Sequence, residues 1–320
     1  MPASMRYDEQ AYLAANPDIR DAVAGGHIKS GKDHFDALGH KEDRPGLLPC
    51  DFDEANYLAR NPSVAALVQA GEFPSGGYHY ALFGKDRKLS YRRPGATRRS
   101  IVEKLWYGRD PFASFPAASY TVDKRGWNSS HAYLSKAIQD LRPELVIEVG
   151  VWKGGSTMTM ARKMRELQLD SVVLSVDTWL GSSEHWLIPE QFFDLGFESG
   201  YPKLYHRFAS NVVSEDLQDY VVPLPLDSNN AVVVCKDRGL RPQVMHIDAG
   251  HDYASVMADL SAWWPLIEPG GVLIADDYFP EGGGWPGVLA AVDDFFKVHS
   301  HVSFESTSGK ALVRKCTDAD

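Results

Sequence analysis

From about residue 116 onward, short apolar runs alternate with segments of helical pattern, and this alternation restricts the chain to very few architectures. The runs are Leu145–Val149, Val172–Val176, Tyr220–Leu224, Val244–Ile247 and Gly271–Ala275. Helices are expected over Ser156–Leu167, from about Tyr253 to Ile267, and near Val288–Val298, with two final strands near Val302–Glu305 and Ala311–Arg314. Strands separated by helices of this length imply an α/β fold, a doubly wound and mostly parallel seven-stranded sheet. Its crossovers are right-handed, and ligands bind at the carboxyl ends of its strands.

A different pattern fills residues 1–90. Tyr7-Asp-Glu-Gln-Ala-Tyr-Leu-Ala-Ala-Asn-Pro17 aligns with Phe52-Asp-Glu-Ala-Asn-Tyr-Leu-Ala-Arg-Asn-Pro62 at a constant offset of 45 residues. The match continues through Gly26/Gly71, Ser30/Ser75, His34/His79 and Gly39/Gly84, and both copies end in an Asp-Arg pair, Asp43-Arg44 and Asp86-Arg87. A period near 45 marks a duplicated helical unit. Asp8 and Asp53 are placed to cap a first helix, and Asn16-Pro17 and Asn61-Pro62 to break it. The aromatics serve either as a small core or as a docking surface for a carbohydrate or protein. Residues 91–115 are expected as a basic linker, because RKLSYRRPGATRR (87–99) carries six basic residues and no acid. A patch for an anionic polymer or membrane surface is the other reading of that stretch. The third segment, 116–320, is the α/β domain.

Composition excludes several classes. The 320 residues are 44% hydrophobic and 24% charged, which excludes global disorder. No transmembrane segment and no secretory signal is expected, since neither a long apolar run nor an apolar core behind the first residues is present. Three cysteines, Cys50, Cys235 and Cys316, stand far apart without metal-type spacing, so the expectation is a cytoplasmic protein with reduced thiols. A net charge of −10 argues against nucleic acid as a partner.

Chemistry is concentrated at the strand ends. Glu148-Val-Gly150-Val-Trp-Lys-Gly154-Gly155-Ser156-Thr157 follows a strand and opens a helix, where glycines permit close backbone approach to a ligand. The spacing is not GxGxxG. Asp177 ends the next strand and can accept hydrogen bonds from ribose hydroxyls, so the pair of features implies a nucleoside-containing cofactor. Asp248 ends the fourth strand, and Asp276 and Asp277 the fifth. Three carboxylates converging on one edge repel each other unless a cation is present, and hard oxygen ligands point to Mg²⁺, with Mn²⁺ or Ca²⁺ as alternatives. A turn-capping role for Asp276 and Asp277 is the other reading. His251, three residues past Asp248, suits a general base, although a capping or surface role is open; His185, His206 and His246 are competing histidines. The segment Gly181–Phe208 reads as a lid, with Trp186, Tyr201 and Trp285 as platforms for a sugar ring and Phe192, Phe193 and Phe197 as core residues. Gly282–Gly287 reads as a mobile loop over the metal.

EVGVWKGGST, VDTWLG and HIDAGHDYASVMADLSAWWPLIEPGGVLIADDY together resemble the class I S-adenosylmethionine-dependent methyltransferases. The chain is most similar to metal-dependent sugar O-methyltransferases of the macrocin O-methyltransferase type, over about residues 120–315. The resemblance implies that Glu148, Gly150 and Ser156 line the methionine and ribose side of S-adenosylmethionine. Asp177 would hold the ribose, Trp179 would flank the adenine, and Asp227 and Ser228 would sit near its edge. It also implies Asp248, Asp276 and Asp277 as ligands of Mg²⁺ or Mn²⁺, His251 as the base, and a sugar-containing small molecule or glycan as acceptor, with a homo-oligomer as a possible assembly. Ala249 replaces the usual glycine of the family's DGxH motif. The N-terminal repeats resemble modules appended to bacterial glycan-modifying proteins. Three alternatives stand beside this reading: a metal-independent methyltransferase relying on His251 alone, a nucleotide-cofactor oxidoreductase, and a non-catalytic glycan-associated assembly protein.

Overall fold

The computed structural model describes residues 5–42, 44–50, 52–87, 89, 91 and 95–317. They form two compact units, Met1–Pro94 and Gly95–Asp320. Asp43 of the first Asp-Arg pair and Lys88, Ser90, Arg92, Arg93 and Pro94 of the basic stretch lie outside the described residues.

In the first unit each repeat is built from three α-helices, the third running on into a π-helical segment (Phe35–Gly39 and Tyr80–Gly84), and a two-residue ladder pairs β1 (Met5–Arg6) with β2 (Leu48–Pro49). The first repeat holds α1 (Glu9–Ala15), α2 (Pro17–Ala24) and α3 (Gly31–His34); the second holds α4 (Glu54–Arg60), α5 (Pro62–Gln69) and α6 (Gly76–His79). The repeated residues make the same bonds twice. Asp8 and Asp53 cap their helices by accepting from Ala11 and Asn56 N–H at 2.9 and 3.0 Å. Tyr12 and Tyr57 place their hydroxyls 2.9 and 2.8 Å from Nδ1 of His34 and His79. Glu9 and Glu54 accept from the first N–H of α3 and α6 at 2.8 and 3.1 Å. A Cβ at Gly39 or Gly84 would lie 2.2 or 2.3 Å from those tyrosine hydroxyls, which is why both positions are glycine. The aromatics Phe52, Tyr57, Tyr80 and Tyr91 are buried together with Ala11 and Leu48, forming this unit's core.

The second unit begins with α7 (Ala96–Trp106), in the middle of the segment expected as a linker. The sequence expectation is corrected here: Arg98 is buried, donating to the Val221 carbonyl at 3.1 Å and forming a two-pronged pair with Asp110 at 2.7 Å, while Ile101 and Val102 enter the core. Basic residues concealed an amphipathic helix. Then come α8 (Ala132–Leu141), β3 (Leu145–Val149), α9 (Gly155–Glu166), β4 (Val172–Val176), α10 (Ser183–Leu187), α11 (Pro189–Leu195), a β5 (Phe197–Glu198) and β6 (Tyr201–Pro202) ladder, and α12 (Leu204–Val213). The chain continues through β7 (Val221–Leu224), α13 (Ser228–Asp237), β8 (Val244–Ile247), α14 (Tyr253–Trp263), β9 (Val272–Asp276), α15 (Pro286–Val298), β10 (His301–Thr307) and β11 (Lys310–Lys315).

The expected seven-stranded sheet is present, in the order β10-β11-β9-β8-β3-β4-β7. β9, β8, β3, β4 and β7 are parallel, and β11 is antiparallel to both of its neighbours. Alternate residues of each strand face opposite layers. Leu145, Ile147 and Val149 pack with α13, α14 and α15. Val146, Val173, Val244, Val272 and Ile274 pack with α8 and α9. Strands buried on both faces explain the unbroken apolar runs.

Glu215, just past α12, accepts from Arg162 of α9 at 2.8 Å and pairs with Lys124 at 2.9 Å. The Arg162 hydrogen bond, then the Lys124 one, draw its carboxyl from 4.5 down to about 2 against the effect of burial. A carboxyl lowered on folding stabilises above its unfolded value and loses that contribution as pH falls through its folded value. The melting-temperature difference between wild type and Glu215→Gln is therefore expected to be complete at pH 5 and above. It should shrink as the pH drops from 4.5 toward 2, as followed by circular dichroism.

Candidate active site

β3 turns into its loop at Gly150, whose φ is +82°. A Cβ there would lie 1.7 Å from the Asp248 carbonyl oxygen, so the missing side chain is what lets the ends of β3 and β8 meet. The loop is then tied down by Asp177 at the end of β4. Its carboxylate accepts from the N–H groups of Val151 at 2.8 Å, Trp152 at 2.9 Å and Trp179 at 2.7 Å. Burial raises its pKa, and these three hydrogen bonds oppose the rise. Ser156 is buried in the first turn of α9.

A cavity of about 790 Å³ opens over the carboxyl ends of β3, β4, β8 and β9. Glu148, Gly150, Ser156 and Asp177 line one side. Asp227, Ser228, Asp248, His251, Asp276 and Asp277 also reach it. Asp227 caps α13 by accepting from Asn230 N–H at 3.0 Å. The Ser228 hydroxyl donates to Asp259 and accepts from Trp263 Nε1–H at 2.8 Å, so its polar capacity is largely used within the protein.

The acidic groups divide into two sets. Ligand atoms of Asp248, His251 and Asp277 all lie within 4.8 Å of one another, and so do those of His246, Asp248 and Asp276. Burial, reinforced by the charges of Asp276 and Asp277, pushes the Asp248 carboxyl well above its usual range. His251 is held at both ring nitrogens. Nδ1 faces Glu184 Oε2 of α10 at 3.1 Å, and Nε2 faces Asp277 Oδ2 at 3.1 Å. Burial pulls its pKa down, but the hydrogen bond and charge of Asp277, followed by those of Glu184, push it up to about 9. The Trp285 ring stacks on it, 4.5 Å between centroids and 9° from parallel. Asp277 itself has φ +56°, an uncommon conformation for a residue with a side chain and one that turns it off the path of β9. Ala249 has no such requirement, so the residue that departs from DGxH fits its turn.

Asp276 sits in a different environment. Lys310 of β11, directly opposite it in register, donates to its Oδ2. His246 Nε2 lies 3.4 Å from the same oxygen, and His246 Nδ1 donates to Glu148 Oε1 at 3.0 Å. The other Glu148 oxygen accepts from Thr157. Burial would raise Asp276, yet the bond and charge of His246, with Lys310, hold it far below the carboxylate range. Glu148 and Asp276 are thus engaged inside the sheet although both border the cavity.

Several sequence expectations differ from the structure. Trp179 does not face the cavity: it is fully buried, donates its indole N–H to the Trp152 carbonyl at 3.0 Å and packs on Tyr205 and Phe208. Trp152 occupies the wall instead, stacked on His185 at 4.2 Å. The positive φ of Trp179, +52°, turns its ring inward, which the strand–turn pattern does not reveal. Phe193 is 76% exposed and not core, while Phe192 and Phe197 pack against Trp186. Of the aromatic platforms, Trp285 lines the cavity; Trp186 and Tyr201 are outside its lining. Gly283 and Gly284 of the glycine-rich loop line it too. Sequence reasoning missed Glu184, Lys310 and the exposed cavity residue Trp127. His206 packs at a tilt on Tyr120 and is outside the cavity lining.

Residues 147–278 match the family model described as a methyltransferase domain. Among solved structures, an O-methyltransferase from Bacillus cereus in complex with SAH is 18% identical, with 68% of this chain and 97% of that chain covered and a TM-score of 0.44. The O-methyltransferase TomG from Streptomyces achromogenes, involved in tomaymycin synthesis and solved with SAM, is 14% identical over 69% and 96%, at a TM-score of 0.43. The O-methyltransferase NovP is 22% identical over 57% and 78%, at 0.39. Residues 147–278 are thus similar to a methyltransferase domain, and they carry the strands whose carboxyl ends border the cavity.

Replacing Gly150 by alanine forces the ends of β3 and β8 apart. Chemical denaturation of Gly150→Ala should show a loss on the order of 3 kcal/mol, and calorimetry should show loss of S-adenosylhomocysteine binding.

Proposed function

We propose that this chain is an O-methyltransferase that moves a methyl group from S-adenosylmethionine to a hydroxyl of a sugar or glycosylated acceptor, assisted by Mg²⁺ or Mn²⁺, in the cytoplasm. The observation that carries the reading is a single cavity joining the Gly150–Ser156 loop and Asp177 to the Asp248–His251–Asp277 cluster. Nucleoside recognition and proton chemistry therefore share one space.

Asp177 and the loop it holds would take the ribose and methionine portions, with Asp227 toward the base. The donor set fits a hard divalent cation: Asp248 and Asp277 present carboxylates to one spot, and no hydrogen-bond partner of the Asp248 carboxylate is found among the described residues. When bound, the cosubstrate supplies an electrophilic sulfonium methyl, and the cation lowers the cost of a developing alkoxide. His251 takes the acceptor proton at Nε2, while Glu184 holds Nδ1–H and so fixes the ring. In the bare site Asp277 competes for Nε2; the ring becomes an acceptor only where Asp277 is engaged elsewhere. Trp285 and the largely exposed Trp127 offer flat faces at the cavity, suited to the C–H face of a sugar ring. The cytoplasmic assignment is supported by three free cysteines and by the absence, among the described residues, of any helix long and apolar enough to cross a membrane.

With radiolabelled cosubstrate and a panel of sugar-bearing acceptors, methyl transfer is expected to stop in EDTA and to return with Mg²⁺ or Mn²⁺. Turnover that persists in chelator would leave His251 as the only activating group.

His251→Ala should lower kcat by about 10²–10⁴-fold, with S-adenosylhomocysteine affinity little changed in calorimetry. Glu184→Gln keeps the shape but loses the charge that orients the ring, and should cost about 10–100-fold. Asp177→Ala should do the opposite of His251→Ala, weakening cosubstrate binding most.

A further inference from the structure

The acidic pair at the end of β9 presents two carboxylates on consecutive residues, and the structure treats them differently. Consecutive residues leave a strand toward opposite faces. Asp276 shares the α8–α9 face with Val272 and Ile274, and Lys310 lies opposite it across the β9–β11 ladder. Lys310 is fully buried, so its ammonium has to find a counter-ion inside the protein. Asp276 Oδ2 is that counter-ion, and His246 Nε2, 3.3 Å from the Lys310 ammonium, converges on the same oxygen. The remaining oxygen, Oδ1, accepts the N–H of Asp277 at 2.9 Å. Both oxygens of Asp276 are therefore in use, and a cation seated against Oδ2 would face a buried ammonium. The Asp277 carboxylate, turned away by the residue's positive φ, meets only the imidazole of His251 among the described hydrogen-bond and ion-pair partners.

We infer that Lys310 is a positioning residue: it claims Asp276 as its counter-ion and leaves Asp277 as the carboxylate that β9 delivers, with Asp248, to the divalent cation. The inference rests on the metal-assisted reading of the site, but it departs from the expectation that both acids of the pair are ligands. The row Glu148–His246–Asp276–Lys310 becomes an internal, charge-compensated strut spanning β3, β8, β9 and β11. It fixes the floor on which Asp248 and Asp277 stand.

Mn²⁺ alone is the probe, titrated into the full chain and read by the electron paramagnetic resonance signal of the free ion. Asp277→Asn is expected to weaken Mn²⁺ binding by more than the roughly 100-fold that marks the upper end for residues outside the ligand set. The double variant Asp276→Asn/Lys310→Met removes the buried pair as a neutral unit, a change proteins often tolerate. It should keep Mn²⁺ affinity within about threefold of wild type and melt cooperatively. Lys310→Met alone frees the Asp276 carboxylate beside the cluster and should tighten Mn²⁺ binding by about threefold or more, an effect that adding Asp276→Asn reverses. A lysine of merely structural value would lower the melting temperature without tightening Mn²⁺. If Lys310→Met does not fold and the double variant does, the pairing stands and the double variant carries the ligand test. A double variant that folds yet loses Mn²⁺ as fully as Asp277→Asn overturns the inference while the metal-assisted reading survives. A wild-type chain that binds no Mn²⁺ overturns both.

Discussion

Like charges brought to one edge of a sheet must be compensated, and the site is organised around how that is done. Glu148, Asp248, Asp276 and Asp277 all border one cavity, at separations where Coulomb repulsion in a partly dry environment reaches several kcal/mol. Two of the four are compensated from within, Glu148 by His246 and Asp276 by Lys310. The other two have no such partner inside the sheet. Asp248 responds by holding its proton far more tightly than usual, and Asp277 by leaning on His251. The protein thus supplies internal cations on one face of the sheet, and under the proposed function a diffusible cation and a sulfonium would complete the compensation at the mouth.

That division depends on strand register. Glu148 is paired in register with His246 across β3 and β8, and Asp276 with Lys310 across β9 and β11. Displacement of β11 by one residue would carry Lys310 to the opposite face, since side chains alternate along a strand. The antiparallel placement of β11 between β9 and β10 is consequently part of the site and not only of the fold. Gly150 acts at the other end of the same geometry, because it alone allows β3 to close on the carbonyl of Asp248.

Much of this was legible in the chain. The apolar runs, buried on both faces, announce a parallel sheet, and acids at the ends of three of them mark its functional edge. The duplicated tyrosine, histidine and glycine positions of the first unit likewise announce bonds that are made twice. What escaped is what depends on pairing across strands or on a single backbone torsion. Lys310 lies just ahead of the strand expected near Ala311–Arg314, and nothing in the residue pattern pairs it with Asp276. Trp179 reads as a residue beside a nucleoside until its positive φ turns the ring into the core. Arg98 reads as solvated because its neighbours are basic, although its partners, Asp110 and the Val221 carbonyl, are 12 and 123 residues away.

Glu184 belongs to the same group of hidden residues, and its location matters most for how the site would operate. It lies on α10, within the irregular segment between β4 and β7, and reaches His251 at the start of α14, 67 residues away. Gln191 of α11 and His185 of α10 line the cavity from the same segment. Lys153, in the glycine-rich loop and almost fully buried, pairs with Asp194 of α11, and Asp194 also receives Arg207 of α12. The segment is therefore anchored to the glycine-rich loop at one point and to the histidine at another. A segment anchored in that way cannot shift over the cavity without changing the hold on Nδ1 of His251. Under the proposed function, acceptor seating and orientation of the His251 ring would therefore be coupled, which would give the irregular insertion a chemical role beyond covering the site.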